Sequence, residues 1–174
     1  MARAFVSVGS NIDPEKNVHA SLRLLKEKVF IRAISKIYRT DPIGPPGQPF
    51  FYNCVVEIET RLSALDLKLT ILRAIETELG RIRTADKYAA RIIDLDLILY
   101  NDHVITTEDL TLPDPEIARR PFLAIPLQEL APGLVLPGSG QSIDDAAKAL
   151  AGSDMQVLEQ YTEQLRKEIP HEKH

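Results

Sequence analysis

Arg91–Tyr100 reads RIIDLDLILY, and its two aspartates decide how the chain is to be understood. Apart from Asp94 and Asp96 the run after Arg91 is apolar, the composition of a strand that packs on a core. An unpaired buried carboxylate costs several kcal/mol even after relaxation. Either that face of the strand is not core, or something cationic rests on it. Alternate residues of a strand share a face. Ile93, Leu95, Leu97 and Leu99 are expected to point one way, under helices, and Ile92, Asp94, Asp96, Ile98 and Tyr100 the other. The carboxylates then stand side by side, with Cα atoms roughly 6–7 Å apart. Such a pair can hold two Mg²⁺ about 4 Å apart, with water and substrate phosphates completing each shell. A solvated sheet face without function would show the same pattern.

Outward from this strand, the chain alternates strands and helices. Ala4–Val8 (AFVSV) is a short strand closed by the turn signal Gly9-Ser10-Asn11. Asp13-Pro14 reads as an N-cap followed by proline at the first helical position, and Val18, Leu22, Leu25 and Val29 follow at helical spacing. Phe30–Thr40 reads as one strand, Asp41–Pro49 (DPIGPPGQP) as a stiffened loop, and Phe51–Thr60 as a third strand. Ser63 and Asp66 open a second helix with Leu65, Leu69, Leu72 and Leu79 as its stripe and Gly80 as its stop. Arg81–Ala90 is a basic connection, and Ile92–Tyr100 is the fourth strand.

The order β-α-β-β-α-β predicts an α+β, ferredoxin-like core with a mainly antiparallel sheet. C-terminal helical additions follow: a hairpin near Asn101–Thr106, a helix near Arg120–Leu130, and a surface helix over Met155–Lys167 carrying Leu158, Tyr161 and Leu165.

Composition narrows the function classes. The chain has 174 residues, 44% hydrophobic and 26% charged, enough for one domain with a substantial core. Its net charge of −4 gives no basic footprint for nucleic acid. No apolar run approaches the ~18 residues of a membrane span, and the N-terminus lacks the layout of a signal peptide. A single cysteine, Cys54, suits a reducing compartment. The expectation is a cytoplasmic monomer without nucleic-acid or membrane partners. His19, His103, His171 and His174 are scattered, and the closing HEKH reads as a solvated tail.

Chemistry gathers around the aspartates. Arg81, Arg83, Lys87 and Arg91 crowd the loop that feeds their strand. This could be a plain ion-pair cluster, but phosphoryl transfer requires the same parts: carboxylates for the metal, and arginines to meet charge in the transition state. The chain carries no G-x-x-x-x-G-K-[ST] loop and no kinase signature. On the third strand Phe51 and Asn53 share a face, so a ring that stacks stands beside an amide that donates and accepts. Phe122, after Arg120 in ARRPF, could close the far side of a flat ligand, although core packing is the commoner fate of a phenylalanine.

Several segments together resemble one family, the 6-hydroxymethyl-7,8-dihydropterin pyrophosphokinases of folate synthesis. KYAARIIDLDLI (Lys87–Ile98) follows the family signature most closely. VGSN, YRTDPIGPPGQPFFYNCV, ELGRIR, LTLPDP and RRPFLAIPLQELAP agree in order and spacing, from residue 4 to residue 150. The resemblance implies transfer of the β,γ-diphosphate of the co-substrate ATP to the pterin hydroxymethyl group, releasing AMP. By the same resemblance Asp94 and Asp96 bind two Mg²⁺, and Asp94 helps to activate the hydroxyl. Arg81 and Arg91 engage the transferring phosphates. Phe51 and Phe122 sandwich the pterin and Asn53 reads its edge, with backbone contacts from Thr40, Pro42 and Ile43. Arg73, Glu76, Arg83, Tyr88, Leu97, Thr111 and Arg120 fall on the nucleotide side. Residues 1–154 would form the pyrophosphokinase domain and 155–174 a C-terminal extension.

The match has gaps. Asp114 stands where the family usually has a histidine, and is left out of the site. An anion there is unfavourable beside a triphosphate unless it is protonated, turned away, or paired with Arg119 or Arg120. Glu116, Ala118, Arg119 and Ala89-Ala90 also depart from the usual types. Two other readings use the same fold class: a palm-like nucleotidyltransferase, and a catalytically silent small-molecule-binding module. Fold cannot separate the three, and the site must.

Overall fold

The structure is a computed structural model that describes residues 1–171; His174 lies outside them. Five strands make the frame. Strands β1 (Ala2–Ser10), β4 (Phe51–Thr60) and β5 (Asp94–Tyr100) run side by side with β1 in the middle, and β2 (Phe30–Ile34) and β3 (Tyr38–Thr40) share the outer edge of β4. All these pairings are antiparallel. Because β1 and β2 both oppose β4, the connection through α1 (Pro14–Lys26) is the split βαβ crossover of a ferredoxin-like α+β fold.

Helix α1 begins at Pro14, as its fixed φ favours, although Asp13 takes a left-handed conformation (φ 43°) and makes no side-chain cap. Val18, Leu22 and Leu25 bury its inner face. The second helical stretch starts with the Ser63 hydroxyl accepting from the Asp66 amide. It runs through α2 (Ala64–Asp66), a π-helical turn (Leu67–Leu72) and α3 (Arg73–Glu78). The extra residue in the π turn rotates the stripe, so Leu67, Leu72 and Ile75 are buried whereas Leu65, expected inside, is 41% exposed. Gly80 ends the stretch at φ 92°.

One core lies between these helices and the sheet, built on Val6, Val8, Leu22, Val56, Leu72 and Leu95 among others. A second fills the opposite face under α4 (Pro121–Leu130) and α5 (Ile143–Ala149), where Phe5, Val55, Leu99, Leu123 and Leu127 meet.

Five further expectations are corrected. Phe30–Thr40 is two strands, because the Ser35 hydroxyl accepts from the Val55 amide at 2.9 Å and interrupts the ladder. Strand β5 does not alternate throughout: the register shifts where Leu97 and Leu99 face Val6 and Phe5, leaving Ile98 as the extra residue of a bulge. Leu99 therefore turns to the second core and Tyr100 to the first. The small hairpin lies beyond Asn101–Thr106 in part, formed by β6 (Ile105–Thr106) with β7 (Thr111–Leu112). Finally, Met155–Lys167 is not one helix. Gln156–Val157 is β8, paired with β3, and α6 covers Glu159–Glu168. Tyr161, Leu165 and Ile169 enter the first core, so β8 extends the sheet and α6 packs against that core. Nor is His171 a solvated tail residue: its ring stacks on Phe30 at 4.7 Å and its Nδ1 accepts from the Ile31 amide.

Among the described residues no helix is long and apolar enough to cross a membrane.

Candidate active site

The second core face runs out before the sheet does. Along β1 it passes from Phe5 to Ser7 to Gly9, and along β4 from Val55 to Asn53 to Phe51, while β5 presents Asp96 and Asp94. Helices α4 and α5 cover Phe5 and Val55 and leave the rest open. The exposed end of the face floors a pocket of about 400 Å³ walled by the 41–50 loop, the 81–93 connection and the Asp114–Phe122 segment. Asp94 and Asp96 thus stand on apolar strand backbone but face a cavity, which is why the strand tolerates them.

The pocket is uneven. On one side Phe51 and Phe122 line it with Asn53, Thr40, Pro42 and Ile43. The Asn53 amide donates to the Thr40 hydroxyl at 2.6 Å, which orients it. Its oxygen packs on Gly9, where an added Cβ would lie 2.8 Å away, closer than real Cβ contacts allow. On the other side Asp94 accepts from Arg81 at 2.9 Å and from Arg91 at 2.6 Å. Glu76, 3% exposed, backs this pair: it accepts from Arg81, from Arg83 at 2.8 Å and from the Leu95 amide at 3.1 Å. Burial works against the charge on Arg81, but the Asp94 and Glu76 carboxylates outweigh it and raise its pKa.

Asp96 is the electrostatic exception. It is open to the pocket, yet the surrounding protein removes enough water to push its pKa up to about 7, and the charges of Asp94, Glu76 and Asp114 add to this against the pull of Arg81. A carboxylate so placed is short of positive charge, and oxygen donors of this kind suit a hard cation. Among the described residues no three His, Cys, Asp or Glu side chains close around one point. A cation on Asp94 and Asp96 would therefore draw its remaining ligands from water and substrate oxygens, the habit of Mg²⁺.

Of the residues singled out in the sequence, Thr40, Pro42, Ile43, Phe51, Asn53, Tyr88, Arg91, Asp94, Asp96, Arg120 and Phe122 line this one pocket. Glu76, Arg81 and Arg83 form the ion-pair cluster behind it. Leu97 is buried in the first core, Arg73 is exposed on α3, and Thr111 borders a separate cleft with Val104 and Pro137. Asp114, excluded on sequence, lines the pocket with Glu116. Its amide donates to the carbonyl of the bulged Ile98, and its carboxylate accepts from the Glu116 amide at 2.8 Å. Arg119 and Arg120 pair with Glu116 instead. Burial, followed by the charges of Glu116 and Asp94, raises the pKa of Asp114 despite the Glu116 amide.

The walls also touch each other. Gly44, at φ 117°, lies under the Tyr88 ring, where a Cβ would come within 2.5 Å of ring carbon. Lys87, noted in the basic connection, also lines the pocket, and so do Ser7, Gly9, Gln48 and Leu123, which were not singled out as site residues. Gly9 was legible only as part of a turn signal, and Ser7 only as a residue of the first strand.

Fold and pocket together define a ferredoxin-like α+β protein whose site pairs an acidic, arginine-capped half with an aromatic, amide-bearing half. The chain belongs to the 7,8-dihydro-6-hydroxymethylpterin-pyrophosphokinase (HPPK) family, whose profile matches residues 5–132. It is 38% identical over 158 residues to the 2-amino-4-hydroxy-6-hydroxymethyldihydropteridine pyrophosphokinase of Haemophilus influenzae, covering 89% of this chain and 97% of that protein. It is 37% identical over 161 residues to the folic acid synthesis protein fol1 of Schizosaccharomyces pombe, spanning 91% of this chain but 22% of that longer one. Among solved structures, Plasmodium falciparum HPPK-DHPS superposes with a TM-score of 0.68 at 14% identity, over 85% of this chain and 43% of that one. At that identity the likeness speaks for the fold.

Proposed function

We propose that the chain transfers the β,γ-diphosphate of ATP to the hydroxymethyl group of 6-hydroxymethyl-7,8-dihydropterin, yielding AMP and the pterin diphosphate. Family membership supports the reaction. The observation that carries it to these residues is the junction, in one pocket, of an aromatic slot with an amide reader and a carboxylate pair under arginines.

In this reading the pterin lies between Phe51 and Phe122, and Asn53 reads the polar edge of its ring. Asp94 and Asp96 would hold two Mg²⁺, which when bound neutralise phosphate charge and orient the triphosphate. The hydroxymethyl oxygen bonds to the β-phosphorus as the bond from that phosphorus to the α,β-bridging oxygen breaks, in line, and AMP departs. Asp94 takes the hydroxyl proton. Arg81 and Arg91, ion-paired with Asp94, exchange that carboxylate for phosphate oxygens and stabilise the transferring group. Gly44 and Tyr88 let the two walls meet over the substrates and shut out water.

The test is product analysis after mixing protein, ATP, Mg²⁺ and the pterin. AMP with pterin diphosphate is the expected result. ADP would mean transfer of the γ-phosphoryl group, and free pyrophosphate would mean nucleotidyl transfer; either would overturn the proposal.

A further inference from the structure

The turn Gly9-Ser10-Asn11 leaves the central strand where the two halves of the pocket meet, since Gly9 is paired with Asn53 on one side and with Asp94 on the other. Asn11 follows it, 2% exposed. Asparagine in a turn ordinarily bonds to backbone a residue or two away. Here those local duties are taken by others: the Ser10 hydroxyl and the Asn17 amide both serve the Ile12 carbonyl. The Asn11 side chain instead reaches 80 residues along the chain. Its Oδ1 accepts from the Arg91 amide at 2.6 Å, while its own backbone N–H donates to the Arg91 carbonyl at 3.1 Å. Ser10 adds a bond to the next carbonyl, Ile92, at 2.5 Å. On its far side, the Asn11 Nδ2 lies 3.5 Å from Gln48 in the opposite wall.

We infer that Asn11 is a positioning residue for the reaction, acting through Arg91. Both backbone groups of Arg91 are held by one buried residue, which fixes the root of that side chain, while its guanidinium, which also donates to the Lys87 carbonyl at 2.7 Å, can exchange Asp94 for another anion. Movement of the connecting loop is thereby confined to residues before 91. The inference rests on the proposed role of Arg91 at the transferring phosphates. A buried side chain that orients a reacting group typically accounts for about 10–100-fold in activity.

The experiment is a double-mutant cycle in the full chain with Asn11→Ala and Arg91→Ala. Asn11→Ala should lower kcat about 10–100-fold with KM for ATP and pterin within about threefold. In the Arg91→Ala background it should cost less than about twofold, because the group it positions is gone. Asn11→Asp, which keeps the acceptor for the Arg91 amide, should recover at least about tenfold of the kcat lost in Asn11→Ala. Amide exchange should speed up at Arg91 and leave the centre of β4 unchanged, a readout that does not depend on turnover. Equal losses in both backgrounds, no recovery with Asp, or unchanged protection at Arg91 would each overturn the inference. Full kcat in Arg91→Ala alone would overturn the reading of Arg91 beneath it, and is distinguishable from the other failures.

Discussion

The two halves of the pocket are made in different ways. The aromatic half stands on strands: Phe51 and Asn53 take their directions from the β4 register, and Asn53 is held by Thr40 and by the bare backbone of Gly9. The acidic half combines one strand with a loop, and its charges are satisfied by one another, through Arg81, Arg91, Asp94 and Glu76. The first half offers a ligand a neutral surface already in shape. The second offers a network of ion pairs, which in the proposed reaction a polyanion and its cations would replace. Fold sets the one, and mutual ion pairing sets the other.

The largest effect should come from breaking the acidic half. Asp94→Ala or Asp96→Ala is expected to lower kcat/KM about 10³-fold or more, since a catalytic metal supplies several kcal/mol of charge stabilisation. Steady-state assays across a Mg²⁺ series check this, and extra Mg²⁺ should restore little. Breaking the aromatic half should be milder and confined to one substrate. Asn53→Ala is expected to weaken pterin binding about 10–100-fold, the scale of an unpaired buried polar group, with KM for ATP within about threefold. A parallel loss for ATP would mean that the halves are not separable.

How much of this was legible in the sequence follows the same division. The β-α-β-β-α-β order was readable from turn signals and apolar runs, whereas the carboxylates on an apolar strand only raised the question, since a solvated sheet face would show the same pattern. What was hidden depended on contacts across the chain. The strand break at Ser35 comes from a hydroxyl meeting Val55, and the turned faces of Leu99 and Tyr100 come from a bulge set by β1. Asp114 entered the pocket because its backbone is tied to the freed carbonyl of that bulge, which no local pattern reveals. Asn11 looked like turn punctuation because its partner is far away in sequence.

A smaller effect sharpens the acidic half. Asp114 adds negative charge beside the aspartate pair, so Asp114→His should lower KM for ATP about 3–10-fold, the worth of one charge at several ångströms in a partly solvated site. An unchanged or higher KM would remove Asp114 from the nucleotide side.

The smallest effect is on stability. The folded pKa of Asp96, about 7, lies above its ordinary value of 3.8. The folded state therefore binds this proton more tightly than the unfolded chain does. The stability this confers is complete below the unfolded pKa and is lost as pH rises through the folded one. In metal-free buffer at pH 8, Asp96→Asn should raise Tm by about 2–4 °C, the shift that roughly 1 kcal/mol produces in a chain of this size, discounted for the solvent that reaches the group. The gain should vanish near pH 3, and thermal melts at the two pH values decide it.

The most direct test of the carboxylate floor is a count of bound Mn²⁺ by electron paramagnetic resonance, with a non-hydrolysable ATP analogue present. The floor requires two ions per chain in the native protein and fewer in Asp96→Ala. The same count in both proteins would show that the cations are held elsewhere, and that the aspartates of RIIDLDLILY are a solvated surface after all.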